Sequence, residues 1–290
     1  MKKITLLLMS AVLAFSLIGC GTPDDNKSEE SVNNSQEDSS AEDSSSEEEE
    51  SSVSEDGSEE SSEGSEDASG DENAEAGSVM TYAEYDAAAV DTQVTIEAYV
   101  QAKQAWWEDK ATVYAQDEDG AYFLYDMACT QEDYEKLTVG TKIRVTGYKA
   151  EWSGEVEIID ATFEIIDGNY VATAEDVTAL LGSDDLIKKQ NMFVSFKGMT
   201  VEAKKDADGN EVAFLYKWDG SGQDGDDLYF DVSVNGQTYT FTVESYLCDN
   251  TTEVYSAVKN LKVGDKIDME GFLYWYEGVN PHITKVTAAQ

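Results

Sequence analysis

The stretch LTVGTKIRVTG at residues 137–147 returns as LKVGDKIDMEG at residues 261–271, 124 positions further on. Aligning 137–164 with 261–288 needs no gap. Identities fall at Leu137/Leu261, Val139/Val263, Gly140/Gly264, Lys142/Lys266, Ile143/Ile267, Gly147/Gly271, Gly154/Gly278 and Ile159/Ile283. Each copy reads as turn, strand, turn, strand. Gly140 and Gly264 supply a tight turn, where positive φ carries no Cβ penalty. Ile143, Val145 and Gly147 then alternate with Lys142, Arg144 and Thr146, a period of two that marks a half-buried strand. Ile267, Met269 and Gly271 alternate in the same way with Lys266, Asp268 and Glu270. A glycine inside each strand predicts a bulge or sharp bend. Second turns at Ser153-Gly154 and Glu277-Gly278 lead into a last strand through Ile158 or Ile283.

The flanking sequence supplies the rest of each repeat. In the first, TYAE (81–84) is a capping box opening a short helix. Strands follow at 94–101, 112–116 and 121–125, the last two joined by the hairpin signal DEDG (117–120). TQED (130–133) caps a second short helix before the quoted motif. In the second repeat TAED (173–176) predicts a helix through Val177, Leu180 and Leu181. Strand one is expected at 193–201 and strand two at 212–217. A hairpin of 228–234 and 237–243 turns at Asn235-Gly236. NTTE (250–253) caps a helix carrying Val254, Val258 and Leu261. The second copy is about 32 residues longer, an excess expected in the 219–227 loop and an added hairpin. The short join at 166–170 implies that the two units restrain each other.

Five strands with a short helix between the third and fourth is the order of a small Greek-key barrel, the OB-fold. The fold class expected is therefore mainly β: two tandem five-stranded OB-fold-like Greek-key barrels with short capping helices, preceded by a signal peptide and a disordered acidic linker. The pattern L-x-V-G-x-K-I-x-V-x-G…G…I resembles the fourth and fifth strands of bacterial OB-fold modules. The whole chain resembles Gram-positive-type bacterial surface lipoproteins, in which a lipobox and an acidic linker precede such modules. The resemblance covers 79–288. It speaks to fold more than to function, because OB-folds bind nucleic acid, sugars or proteins, or only fill space.

The ends of the chain bear on location. Two lysines precede an apolar run at 4–18, short for a membrane span and suited to a secretory signal core. It closes on LIGC (17–20), which resembles a lipobox. That resemblance implies cleavage of a signal peptide at 1–19, a diacylglyceryl group on the Cys20 sulfur, and anchoring to the extracytoplasmic face of the cell membrane. Residues 20–78 form the linker. From 21 to 78 there are 22 acids, one lysine and 17 serines. Such a segment cannot bury enough apolar surface to fold. It would reach roughly 40–45 Å as a flexible chain. The remaining residues divide into barrels at 79–168 and 169–290. They carry 39 acids against 16 basic residues, a balance that disfavours nucleic acid.

No enzyme constellation is present. His282 is the only histidine and sits beside the last strand, where it reads as structural. CxxC, HExxH and GxxxxGK[ST] patterns are absent, and no cofactor is expected. Asp206, Asp208 and Asn210 offer alternate oxygen donors that would suit Ca²⁺, but without a full ligand loop they read as an exposed turn. Cys129 and Cys248, each just after a third strand, are expected as unpaired thiols.

The clearest binding signal is aromatic. OB-fold ligands lie across strands two and three, between the loops joining strands one to two and four to five. In the first repeat those loops hold Trp106, Trp107 and Trp152; Tyr114, Tyr122, Phe123 and Tyr125 lie on the hairpin, one face of which should line the same groove, with Tyr122 as the expected binding residue. In the second, Tyr274, Trp275 and Tyr276 lead into the matching turn, and Trp218 lies in the long loop. Exposed ring clusters stack on sugars or bases and anchor interfaces. The same rings would serve to plug barrel ends or to join the two barrels. The function expected is a non-catalytic binding module for a neutral or cationic polymer, a glycan first, or for an envelope protein. Single-stranded nucleic acid is the rival, and a purely structural domain a third reading.

Overall fold

The computed structural model describes residues 78–289, which fall within one compact unit, Ala68–Gln290. The expected signal peptide, Cys20 and the linker up to residue 77 lie outside the described residues. Among the described residues, no helix is long and apolar enough to cross a membrane.

The first barrel contains β1 (Gln93–Lys103), β2 (Lys110–Gln116), β3 (Ala121–Ala128), β4 (Thr141–Trp152) and β5 (Glu155–Asn169). They close in the order β1-β2-β3-β5-β4, with β4 returning to β1. All pairs are antiparallel except β3 with β5, which meet in parallel at Phe123–Glu157 and Leu124–Ile158. Alternation places Val94, Ile96, Ala98, Val113, Leu124, Ile143, Val145 and Ile158 inside, all fully or almost fully buried. α1 (Tyr82–Ala87) begins at the expected capping box: the Glu84 N–H donates to Thr81 Oγ1, and the Thr81 N–H to Glu84 Oε2. Its last carbonyls are collected by the buried Lys149, whose Nζ donates to Tyr85 O, Asp86 O and Ala88 O at 2.8–2.9 Å. α2 (Gln131–Lys136) is capped by Thr130.

The second barrel repeats this ring with β6 (Phe193–Glu202), β7 (Leu228–Val234), β8 (Gln237–Val243), β9 (Lys266–Phe272) and β10 (His282–Ala288). β6 pairs with β7, β7 with β8, β9 with β10, and β9 with β6. The parallel closure is again between the third and fifth strands, at Thr242–His282. α3 (Glu253–Lys259) covers the core with Val254, Tyr255 and Val258. The two-barrel OB-like fold is thus what the doubled motif marks.

Several local expectations are corrected. Strand two of the second barrel is Leu228–Val234; residues 212–217 stand outside the ring. Glu211–Val212 pairs only with Lys204–Lys205, and Leu215–Tyr216 adds a short edge to β7. Lys217, at φ 58, ends that run after two paired residues. The hairpin 228–243 is therefore the barrel's own, and the extra residues lie between strands one and two. The helix expected after residue 173 is a single 3₁₀ turn, Thr178–Leu180. Asp176 accepts its first N–H, and Gly182 at φ +81 closes the segment. α3 is capped by Thr252 rather than Asn250. The join at 166–170 is largely strand, because β5 runs to Asn169.

The in-strand glycines sit where expected, at register shifts between Thr146 and Tyr148 and between Glu270 and Gly271. The cause is close approach of chain. A Cβ on Gly147 would lie 2.7 Å from Ile159 O, and one on Gly271 only 2.3 Å from His282 O. Backbone cannot yield as a flexible side-chain tip can. Gly271→Ala should therefore cost about 2–3 kcal/mol, read as a lower denaturant midpoint at unchanged slope.

Candidate functional site

The second barrel docks on the outer face of β2 and β3. In β2 every residue after Lys110 is buried, because inward side chains fill the barrel and outward ones meet its neighbour. Tyr114, fully buried, stacks on Phe272 with ring centroids 4.3 Å apart and planes 14° from parallel. Its hydroxyl lies 2.9 Å from His282 Nδ1. Tyr274 stacks on the His282 ring at 4.3 Å, and Phe123 meets Tyr274 edge-on at 5.3 Å. Burial lowers the His282 pKa to about 3, so the ring is a neutral spacer at physiological pH. This is the structural histidine that its position near a strand implied.

Polar contacts pin the remainder of the junction. The Phe193 N–H donates to Gln116 Oε1 and the Ala105 N–H to Tyr246 O. Gln190 Nε2 donates to Gly154 O, and Asn191 Nδ2 to Val156 O. Glu155 is completely buried, and its Oε2 accepts from the Trp275 N–H at 2.8 Å and from Gln190. Its Oε1 and the Asn191 Oδ1 have no hydrogen-bond partner. Burial pushes the Glu155 carboxyl up from 4.5 to about 8, so it is mostly protonated at neutral pH.

Beside this junction lies a cleft of about 1130 Å³. Phe123, Tyr125, Thr112, Lys110 and Asp126 reach it from β2 and β3, and Gln104 and Trp107 from the loop before them. Trp152 enters from the end of β4. The second barrel supplies Trp218, Asp227, Tyr229, Thr242, Glu244 and Tyr246, and the loop after β9 supplies Tyr274, Tyr276, Glu277 and Asn280. The rim rings are open to solvent: Trp218 is 75% exposed, Trp107 68%, Tyr246 66% and Trp152 53%. Four carboxylates line the cleft, at Asp126, Asp227, Glu244 and Glu277. The one lysine, Lys110, is held by Asp126 at 2.9 Å. Glu244 is buried and accepts from the Tyr246 and Leu247 N–H groups and from Gln104 Nε2. Burial raises its carboxyl to about 7.

Of the residues singled out from sequence, Trp107, Trp152, Trp218, Tyr274 and Tyr276 share this cleft. Three do not. Tyr122 points into the first barrel, packed on Tyr85 at 4.9 Å; strand alternation gives the cleft to its neighbours Phe123 and Tyr125 instead. Trp106 turns away, its Nε1 donating to Cys129 O. Trp275 lies against Gly154 and the second core, as an interface residue. Tyr229, Tyr246 and Glu244 went unread. The strand shift in the second barrel hid Tyr229, and Tyr246 and Glu244 follow β8, outside the two loops between which OB-fold ligands lie. Asp206 is spent on its own turn, accepting from the Asp208 and Asn210 N–H groups and from Asn210 Nδ2. Among the described residues, no cluster of three or more carboxylate, histidine or cysteine side chains could hold a metal. Cys129 and Cys248 are buried and free. Burial raises their thiols to about 11 and about 12, which suppresses reactive thiolate.

No family model and no curated protein sequence matches the chain. Solved structures similar to it include the Ifi202 HINa domain in complex with 20-bp double-stranded DNA. That match has 12% identity, covers 69% of this chain and 97% of that one, and has a TM-score of 0.31. A murine DNA-binding protein bound with double-stranded DNA is 12% identical over 68% and 96%, TM-score 0.34. A replication protein A heterotrimer bound to single-stranded DNA is 12% identical over 71% and 51%, TM-score 0.30. The fold assignment here rests on strand order and closure.

The junction has a definite pH signature. A carboxyl whose pKa rises from 4.5 to about 8 on folding binds its proton more tightly in the native state. Stability therefore falls as pH climbs from about 4.5 through 8 and is flat beyond. Glu155→Gln removes the titration while keeping an oxygen for the Trp275 N–H. Its melting temperature should exceed the wild type's most at pH 8 and least near pH 5, read by calorimetry across that range.

Proposed function

We propose that the protein is a non-catalytic carbohydrate-binding module, exported and tethered to the outer face of a bacterial membrane through Cys20. The observation that carries the binding reading is the convergence of Trp107, Trp152, Trp218, Tyr246 and Tyr276 from separate loops on one cleft whose single lysine is already paired. Solvent-facing rings gathered in one patch and rimmed by polar groups mark an interaction site. Flat apolar sugar faces stack on such rings, while Gln104, Thr242 and Asn280 offer hydrogen bonds to hydroxyls. The volume of about 1130 Å³ exceeds the usual small-ligand range of roughly 300–1,000 Å³. That suits a short run of a polymer.

A specific observation also favours the rival. The cleft lies over β2 and β3, where OB-folds hold single strands, and its rings could stack on bases. Against it stands the charge. Phosphates need cations, and here carboxylates outnumber the lysine four to one. The tether reading is supported by the lysine-led apolar run ending in LIGC and the acidic serine-rich segment after it.

Tryptophan fluorescence titrations with neutral oligosaccharides and, at low salt, with oligonucleotides separate the ligand readings. Saturable quenching is expected with a sugar series. Trp107→Ala and Trp218→Ala should each weaken it about tenfold, a loss of about 1.4 kcal/mol, because each removes a ring on which the sugar stacks. Trp106→Phe should leave it unchanged. Tight, salt-sensitive oligonucleotide binding would reverse the assignment. For the tether, Cys20→Ala should release the expressed protein from the membrane fraction; retention there would refute lipid attachment.

A further inference from the structure

The cleft's charge narrows its ligand further. Among the described residues, Asp227, Glu244 and Glu277 take part in no ion pair, although all three line the cleft. Asp227 accepts only from the Ser245 N–H and Oγ. Glu244 accepts from two backbone N–H groups and one amide, and Glu277 stands on the exposed turn beside Tyr276. Burial raises the Glu244 carboxyl to about 7, so below that pH Asp227 and Glu277 are the acids left to act on a cation. Desolvating the Asp227 and Glu277 carboxylates under a neutral sugar would be unfavourable, so a neutral ligand would gain from the rings and lose at the acids.

A cationic ligand gains from both. An ammonium group is attracted to carboxylates and to the faces of tryptophan and tyrosine, which carry negative potential. The surrounding field acts in the same direction. Residues 79–290 hold 39 acids against 16 basic residues, so cationic chains are concentrated near the surface and anionic ones are repelled. Rings and carboxylates are interleaved along the cleft: Tyr246 two residues after Glu244, Tyr229 two after Asp227, and Tyr276 next to Glu277. An amine borne at intervals on a flat apolar ring matches that interleaving.

We propose that the cleft selects an amine-bearing polysaccharide, a polymer of unacetylated amino sugar, whose rings stack on Trp107, Trp152 and Trp218 while its ammonium groups lie against Asp227 and Glu277. This deepens the carbohydrate reading and rests on it. A neutral glycan with the same backbone would satisfy the rings and leave the acids uncompensated.

The test compares a glucosamine hexamer with its fully N-acetylated counterpart by calorimetry on residues 79–290 of the protein and on the full chain. At pH 6 the amines carry protons. The amine form should bind about tenfold more tightly, the gain expected from ammonium–ring and ammonium–carboxylate contacts. That preference should shrink between 0.05 and 0.5 M salt. Glu277→Gln, on an exposed turn, and Asp227→Asn should each weaken the amine form more than the acetylated one. Equal binding of the two hexamers, or tighter binding of the acetylated one, overturns the amine preference and leaves the carbohydrate reading standing. Binding of neither overturns both, and binding of an oligonucleotide instead places the ligand in the rival class.

Discussion

The Tyr114 ring is the part on which the rest of this structure depends. It leaves the first barrel from the outward face of β2, a face that would otherwise meet water. There it stacks on Phe272, and its hydroxyl reaches His282. Each aromatic pair contributes about 0.5–1.5 kcal/mol beyond the area it buries. A buried phenol without a partner would cost about 1–3 kcal/mol, so His282 must stay close and stay neutral. The histidine meets both needs because burial keeps its ring neutral and Tyr274 stacks on it. The column Phe272, Tyr114, His282 and Tyr274 therefore fixes the second barrel on the very surface where an OB-fold would bind its ligand. Part of that surface is consumed, and the uncovered part becomes one wall of the cleft.

Stacked rings resist separation better than they resist sliding. Direction comes from the polar contacts: Gln116 to the Phe193 N–H, Ala105 to Tyr246, Gln190 and Asn191 to the backbone at Gly154 and Val156. Glu155 is the most demanding of these, a carboxyl with no exposure that burial keeps protonated. Hydrogen bonds require angles as well as distances, so a rotated docking would orphan several buried groups at once. The orientation matters because the cleft is composite. Trp107 and Trp152 belong to one barrel, Trp218 and Tyr246 to the other. The two titrating groups press in opposite directions. His282 loses stability as pH falls below 6.5, because the unfolded imidazole takes a proton that the native one refuses. Glu155 loses it as pH rises toward 8.

How much of this was legible in the sequence follows from what each element owes to local pattern. The barrel strands, the glycine bends and two of the helix caps were readable, because period-two alternation and cap chemistry are local. Residues 212–217 misled because a short apolar run reads as a strand whether or not it has partners; only pairing with β6 separates a ring strand from an edge bridge. Tyr122 misled for a finer reason. Three aromatics in AYFLY (121–125) make the strand obvious but leave its facing ambiguous, and one residue of register decides between core and cleft. Tyr114 and Glu155 were beyond reach altogether. A buried tyrosine on an outward face and a buried glutamate opening a strand have causes that lie more than a hundred residues away, at His282 and Trp275.

The doubled motif acquires a different meaning from this junction. Its two second turns, Ser153-Gly154 and Glu277-Gly278, meet each other: the Glu277 N–H donates to Ser153 O, and Trp152 packs on Tyr276 at 5.1 Å. Gly154 has room for the Trp275 indole only because it lacks a Cβ, which would stand 2.9 Å from that ring. So the repeat brings equivalent turns face to face, and the side chains that differ between them are the ones that interlock. A single copy would present Trp152 or Tyr276 on an open loop, with no opposite wall. The duplication turns two shallow surfaces into one cleft, and the binding chemistry is therefore a property of the pair, held in place by the ring of Tyr114.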